Sequence, residues 1–265
     1  MTYEQTVASP AVVMERRGAV GLVRLNETKS LNALSPAIKD GLETALSALL
    51  PDPAVRAIVI TGSGRAFCAG GDIRAMDDRA TVAMRRRMHD AYRWLVPLIA
   101  ADKPVITAVN GVAAGAGLSL AMTGDIVLAS RAARFKAGFA GIGAVPDLSL
   151  AWMLPRAVGL VRAKAILMEN REFGAEEASA LGLVTRVTEP DALLDHALAT
   201  AENLASGPTV AFAVTKQLLR RAHDTALESF LELEAMAQTV AFGSADFAEG
   251  VAAFRAKRPA AFGGG

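Results

Sequence analysis

The chain has 265 residues, 52% of them hydrophobic and 21% charged, with a formal net charge of +1. That length can bury one large core or two modest ones, and the composition excludes a disordered polymer. The near-neutral balance leaves no electrostatic footprint for nucleic acid or an anionic membrane surface, and the single cysteine, Cys68, excludes an intrachain disulfide and fits a reducing compartment. No basic-then-apolar leader opens the chain, and its apolar runs are interrupted too often to span a bilayer, so a cytoplasmic protein is expected.

Strand-like runs at 11–14 and 19–25 come first, followed by the turn sequence Asn26-Glu27-Thr28-Lys29. Ser35 before Pro36 marks a helix start, with serine as N-cap and proline at the first helical position. That helix carries Ile38, Leu42, Ala45, Leu46 and Leu49 at helical period and stops before Pro51. Ala57–Thr61 is a buried strand leading into the turn RAFCAGGDI at 65–73. Residues 79–101 read as a long helix, with Met84, Met88, Tyr92 and Leu95 as its packing stripe and Arg85-Arg86-Arg87 on a solvated face. After Pro104 come a strand at 105–109, a second small-residue turn, GVAAGAG at 111–117, an apolar helix through Met122 and a strand at 125–129. Short helices at 158–168 and 175–181 and a strand within 182–187 follow. Beyond Pro190 strand signals stop and helices are expected at 191–206, 208–222, 225–240 and 245–256. The alternation predicts an α/β core over 1–190, with an α-helical region over 191–265 packed on it. The likeness of VITG at 59–62 to VITAVNG at 105–111 hints at a repeated unit.

The two Gly/Ala turns carry the chemistry. With almost no side chains, their backbone can approach a ligand closely, and each leaves N–H groups free where a helix begins. Two such turns facing each other place two donors on one oxygen, which is an oxyanion hole without a nucleophile and suits enolate chemistry. Asp147 in Val145-Pro146-Asp147 is either a proton-transfer group or the N-cap of a helix starting near Leu148. Asp72 beside the first turn reads as a turn-holding carboxylate, Asp125 as structural, and Cys68 as an inert buried thiol. Ser119 lies within an apolar helix rather than on a nucleophile elbow. The three histidines are scattered, so no metal site is expected.

In order and spacing, LNALS at 31–35, RAFCAGGDI at 65–73, KPVITAVNGVAAGAG at 103–117, GDIVLAS at 124–130, RFKAGFAGIGAVPD at 134–147 and FRAKRP at 254–259 resemble the enoyl-CoA hydratase/isomerase (crotonase) superfamily over nearly the whole chain. The VPD form and the tail GSADFAEGVAAFRAKR resemble its 1,2-epoxyphenylacetyl-CoA isomerase branch. The resemblance implies a spiral of ββα repeats, a helical C-terminal trimerisation region, assembly as a homotrimer or hexamer, an acyl-CoA thioester substrate and no separate cofactor. It makes the backbone amides of Gly71 and Ala116 the oxyanion donors. Ala69 matches a position touching the adenine of CoA, and Lys29 a phosphate-proximal one. Asp72 and Ile73 follow the first turn at the substrate site. Phe254 and Lys257 match residues that reach a CoA in the same or a neighbouring subunit.

The departures favour one reading. Hydratases of this superfamily carry two glutamates, and here those positions are Ser119 and Phe139. Adding water across a double bond needs both carboxylates, whereas a 1,3-proton shift needs one. The sequence thus points to an isomerase using Asp147, with Phe139 on the acyl-pocket wall. The alternatives are a hydratase and a silent acyl-CoA-binding member.

Overall fold

The computed structural model describes residues 4–75 and 80–265; for residues 4–9 and 75 it describes the backbone alone. The chain opens with an antiparallel meander, β1 (Glu4–Ser9), β2 (Val12–Arg17) and β3 (Val20–Leu25), and the helix α1 (Pro36–Leu49). Three units of one plan follow: β4 (Ala57–Gly62), β5 (Ala66–Cys68) and α2 (Thr81–Ile99); β6 (Val105–Val109), β7 (Val112–Ala114) and α3 (Ala116–Ala121); β8 (Ile126–Ser130), β9 (Arg134–Lys136) and α4 (Leu150–Val158). Next come α5 (Leu160–Glu169), β10 (Glu172–Gly174), α6 (Ala175–Ala180) and β11 (Arg186–Thr188). The chain ends in α7 (Leu193–Ala205), α8 (Thr209–Arg221), α9 (Leu227–Phe242) and α10 (Ala245–Arg255). Among the described residues, the first strand of each unit joins a seven-stranded sheet ordered β1-β2-β3-β4-β6-β8-β11, parallel from β3 onward. The second joins a four-stranded sheet ordered β10-β9-β7-β5. This is the expected spiral of ββα repeats.

Both faces of the large sheet are buried, which explains its unbroken apolar runs. Ile58 and Ile60 of β4 point into the core shared with α1 and α2, while Ala57 and Val59 meet α7 on the other face. Leu193, Ala197, Leu198, Ala201 and Ala205 of α7 complete that second core. The helical region beyond residue 190 therefore begins with a helix that is itself a layer of the core. Further on, Arg56 donates to the Gly207 carbonyl at 2.6 Å and the Phe262 carbonyl at 3.1 Å, and Lys216 of α8 meets Asp125 at 2.7 Å. Asp125 also accepts the Val105 amide at 2.7 Å, the structural role its position suggested.

Several expected elements form as read, α1 with its Ser35 cap among them: the Ser35 hydroxyl accepts the Ile38 amide at 3.2 Å. Others differ. The start expected at residue 79 lies outside the described residues, and the buried stripe of α2 runs through Ala91, Trp94, Leu95 and Leu98, while Tyr92 is exposed. The helix expected near Leu148, α4, begins only at Leu150, because two left-handed residues, Leu148 and Ser149, precede it, and it carries Pro155 inside. The short strands β5, β7, β9 and β10 have three residues each, too few to show a period.

The turns after β5 and β7 meet backbone to backbone. A Cβ on Gly117 would lie 1.9 Å from the Cys68 carbonyl oxygen, and one on Gly70 would lie 2.8 Å from that of Ala114. Gly117→Ala should therefore destabilise the fold by about 3 kcal/mol or more. Gly250→Ala, in α10, where the new methyl meets only the Phe262 ring at 3.4 Å, should stay within about 1 kcal/mol of wild type. Urea unfolding of both variants checks the contrast.

Candidate active site

The segment 31–34 clamps the first turn. The Ala69 amide donates to the Leu31 carbonyl at 3.0 Å, and the Leu34 amide donates to the Gly70 carbonyl at 2.7 Å. Asn32, fully buried, donates to the Ser63 and Ala66 carbonyls at 3.0 and 2.8 Å and accepts the Glu27 amide at 2.9 Å. These bonds leave the Ala69 carbonyl, not its amide, for any contact with a base. They also hold Gly71 through the carbonyl of the residue before it, so the clamp does not use the Gly71 amide.

The second turn is set by Gly115, at φ +55°. Its amide donates to the Lys136 carbonyl at 3.0 Å, joining it to the third unit, where Gly138 packs so closely that a Cβ would lie 3.1 Å from the Gly115 nitrogen. Ala116 follows as the first residue of α3, so its amide has no carbonyl one turn behind it. Ala116 is buried, and its nitrogen lies 3.6 Å from where a Cβ on Gly70 would sit. The two turns are thus neighbours, with small residues on both sides.

Asp147 stands before α4 with its side chain half-buried. Its main-chain carbonyl is held twice, by the Ser119 hydroxyl at 3.0 Å and by the Leu150 amide at 3.0 Å. Its carboxylate caps nothing: the N-cap position of α4 is Ser149, whose side chain makes no capping bond either, and the buried Asp147 Oδ1 has no hydrogen-bond partner. The capping alternative for Asp147 is thereby excluded. Burial pushes the Asp147 carboxyl up to about 6, opposed more weakly by its own backbone and by the Lys39 charge. Ser119, fully buried on α3, therefore positions the backbone of Asp147.

The other candidates fall as follows. Asp72 accepts the Arg74 amide at 3.1 Å and its Nε at 3.0 Å; the Arg74 side chain holds the Asp72 carboxyl below its ordinary range, so the turn-holding reading stands. Ile73 is exposed, and Phe139 is buried at the start of a 3-10 turn. Lys29 is exposed and, with Arg74, lines a cavity of about 740 Å³ that also includes Glu27, Thr28, Ala37 and Asp40. Phe254 and Lys257 are exposed at the end of α10. Phe254 lines a cavity of about 510 Å³ with Phe242, Phe247 and Phe262, and Asp147 is not among the residues around it. Burial pushes the Cys68 thiol up to about 12, as expected of an inert group. Sequence reading missed Lys39 on α1 and Arg87 on α2. The signal for Arg87 was its place four residues before Ala91, on the stripe that packs inward.

The family model for enoyl-CoA hydratase/isomerase matches residues 15–265. The chain belongs to the enoyl-CoA hydratase/isomerase family. It is 37% identical to the 1,2-epoxyphenylacetyl-CoA isomerase of Escherichia coli K12, over 91% of this chain and 93% of that protein. It is 39% identical to a probable enoyl-CoA hydratase of Rhodobacter capsulatus, over 92% and 95%. The solved structure of an enoyl-CoA hydratase/isomerase from Cupriavidus metallidurans CH34 superposes with a TM-score of 0.90 at 35% identity, covering 96% of each chain.

The raised carboxyl has a measurable consequence for this enoyl-CoA hydratase/isomerase family member. A folded pKa of about 6, against an ordinary 3.8, gives stability that is fully present below about pH 4 and lost as pH rises through 6. Melting curves of wild type and Asp147→Asn should therefore diverge with pH. The variant's melting temperature, relative to wild type, should gain roughly 2 °C or more between pH 4 and pH 8.

Proposed function

We propose that this chain is an enoyl-CoA isomerase that moves a proton with the single carboxylate Asp147 while the amides of Gly71 and Ala116 hold a thioester enolate. The observation that carries this is the Asp147 side chain: desolvated, with Oδ1 unbonded, and standing where Ser119 and Phe139 leave no second carboxylate beside it. The first relative named above, an isomerase, supports the same direction; the second, named a hydratase, supports only the shared chemistry of an acyl-CoA thioester.

In the step, Asp147 takes a proton from C2 of a 3-enoyl thioester. The electron pair moves onto the carbonyl oxygen, and the resulting dienolate is held by two N–H donors, each contributing about 3 kcal/mol. The carboxylic acid then returns the proton at C4, leaving the double bond between C2 and C3. A carboxyl near 6 suits both halves, since it is ionised at neutral pH yet basic enough to pull on a carbon acid. With an epoxyacyl thioester, the same group would assist ring opening. CoA would run from the site along the groove of Lys29 and Arg74, with the Ala69 carbonyl and Ile73 on its way.

In deuterated water, NMR should show double-bond migration and deuterium at C2 and C4 of a 3-enoyl-CoA, with no water added to a 2-enoyl-CoA. Asp147→Ala should lower exchange at least about 100-fold. The wild-type rate should be half-maximal near pH 6 and fall roughly tenfold per unit below it, because only the ionised carboxylate accepts the proton. Rapid hydration by wild type would favour the hydratase reading. Tight binding without exchange in either protein would leave an acyl-CoA-binding protein.

The tail supports assembly as a homotrimer or hexamer. Helix α9 buries none of its residues in the single chain, and its Leu227, Leu231, Met236, Val240 and Phe242 are exposed. In such an assembly Phe254 and Lys257 would serve a neighbour's CoA. Light scattering should give a mass of three or six chains, and a monomer at micromolar concentration would refute it.

A further inference from the structure

Three consecutive arginines, Arg85, Arg86 and Arg87, lie on α2, but they do not share an environment. Arg85 and Arg86 are exposed, while Arg87 lies four residues before Ala91, seven before Trp94 and eight before Leu95, the helical spacing of the inward face. Its Nη1 is fully buried and has no hydrogen-bond partner. Lys39, on the neighbouring α1, is half-buried and lies within electrostatic reach of Arg87, of Asp40, Asp90 and Asp147, and of Asp72 beside the first turn. Arg87 Nη1 and Asp147 Oδ1 are both buried and both unbonded, so they do not pair with each other. Arg74, in contrast, is exposed and already bonded to Asp72, in the open groove with Lys29.

A buried guanidinium N–H without an acceptor is unfavourable, because the group loses water and gains nothing. Such a donor is retained where a ligand supplies the acceptor, and the planar fork of arginine matches a carboxylate better than any other common acyl substituent. Lys39 already faces the carboxylates of Asp40, Asp90 and Asp147, whereas the buried Arg87 Nη1 has no acceptor. We propose that Arg87, with Lys39 beside it, is a carboxylate-binding subsite for the far end of the acyl chain, so that the preferred ligands are CoA monothioesters of dicarboxylic acids. This rests on the reading of Asp147 and the two turns as an acyl-thioester site.

Saturated thioesters cannot undergo the isomerisation, so calorimetry with them tests binding apart from chemistry. The probes are succinyl-, glutaryl-, adipoyl-, pimeloyl- and suberoyl-CoA, each against the methyl-ended acyl-CoA of equal carbon number, with free CoA as reference. Wild type should bind the carboxyl-ended ester at least about tenfold more tightly at one chain length or more. Arg87→Met should bring that ratio to about one, and Arg87→Lys should keep part of it. Removing a buried N–H that has no acceptor should leave the melting temperature near that of wild type, and the wild-type comparison decides the matter even if a variant fails to fold. A ratio of one at every length in wild type overturns the proposal, as does a preference that survives Arg87→Met. An equal loss of free-CoA affinity in that variant also overturns it, because Arg87 would then serve a CoA phosphate. If neither kind of ester binds, the acyl-thioester reading itself fails; if methyl-ended esters bind equally well, only the carboxylate subsite fails.

Discussion

The architecture of the site depends on backbone lying against backbone at the ends of two short parallel strands. Gly117 touches the Cys68 carbonyl and Gly70 the Ala114 carbonyl at distances that admit no Cβ. Side chains of any size there would separate the turns, and with them the amides of Gly71 and Ala116. Because β5 and β7 are paired in parallel, the two turns leave the small sheet on the same side, and the large sheet fixes their spacing through β4 and β6. The third unit continues the arrangement, with Gly138 against Gly115. Repetition of one ββα plan is therefore what brings turns from separate units against one another.

The acid is placed by different means. Leu148 and Ser149 both adopt left-handed backbone, an unfavourable conformation for leucine above all, and they delay the helix long enough for Asp147 to stand free of it. The Ser119 hydroxyl and the Leu150 amide then fasten the Asp147 carbonyl. Ser119, where the resemblance expects a glutamate in hydratases, brings no carboxylate and uses its hydroxyl to fix the backbone of Asp147. On the proposed reading, this trades a two-group hydration site for a single-group proton shuttle without altering the turns.

What was legible in the sequence follows from the length and continuity of each signal. β4 and β6 are buried on both faces and five or six residues long, so their apolar runs stood out, and the capped, periodic α1 did too. The small sheet did not, since three-residue strands have no period and are recognisable only as partners of one another. Ser35, Asp72 and Cys68 behaved as local chemistry suggested, because each acts on residues near in sequence or through burial alone; Asp125 holds its structural role through the more distant Val105 and Lys216. Arg87 was read as solvated from its two neighbours, and only the true phase of α2, set by Trp94 rather than Tyr92, turns it inward. The Asp147 cap looked plausible from residue type alone. It fails because capping requires a helical backbone immediately after the cap, and Leu148 and Ser149 do not supply it.

Burial and the groups around Asp147 together hold its carboxyl near 6. Desolvation by itself favours the neutral acid, and an isolated buried carboxyl would rise further and lose its usefulness as a base at neutral pH. Its own backbone opposes that rise most, and the Lys39 charge on α1 opposes it less. Lys39 is itself drawn down by burial and by Arg87 and drawn up by Asp40, Asp90 and Asp147, so it sits in a field of both signs. The basicity of Asp147 is thus set first by burial against a local backbone contact, both fixed by the left-handed turn that holds it out of α4, with the lysine of α1 as the smaller influence.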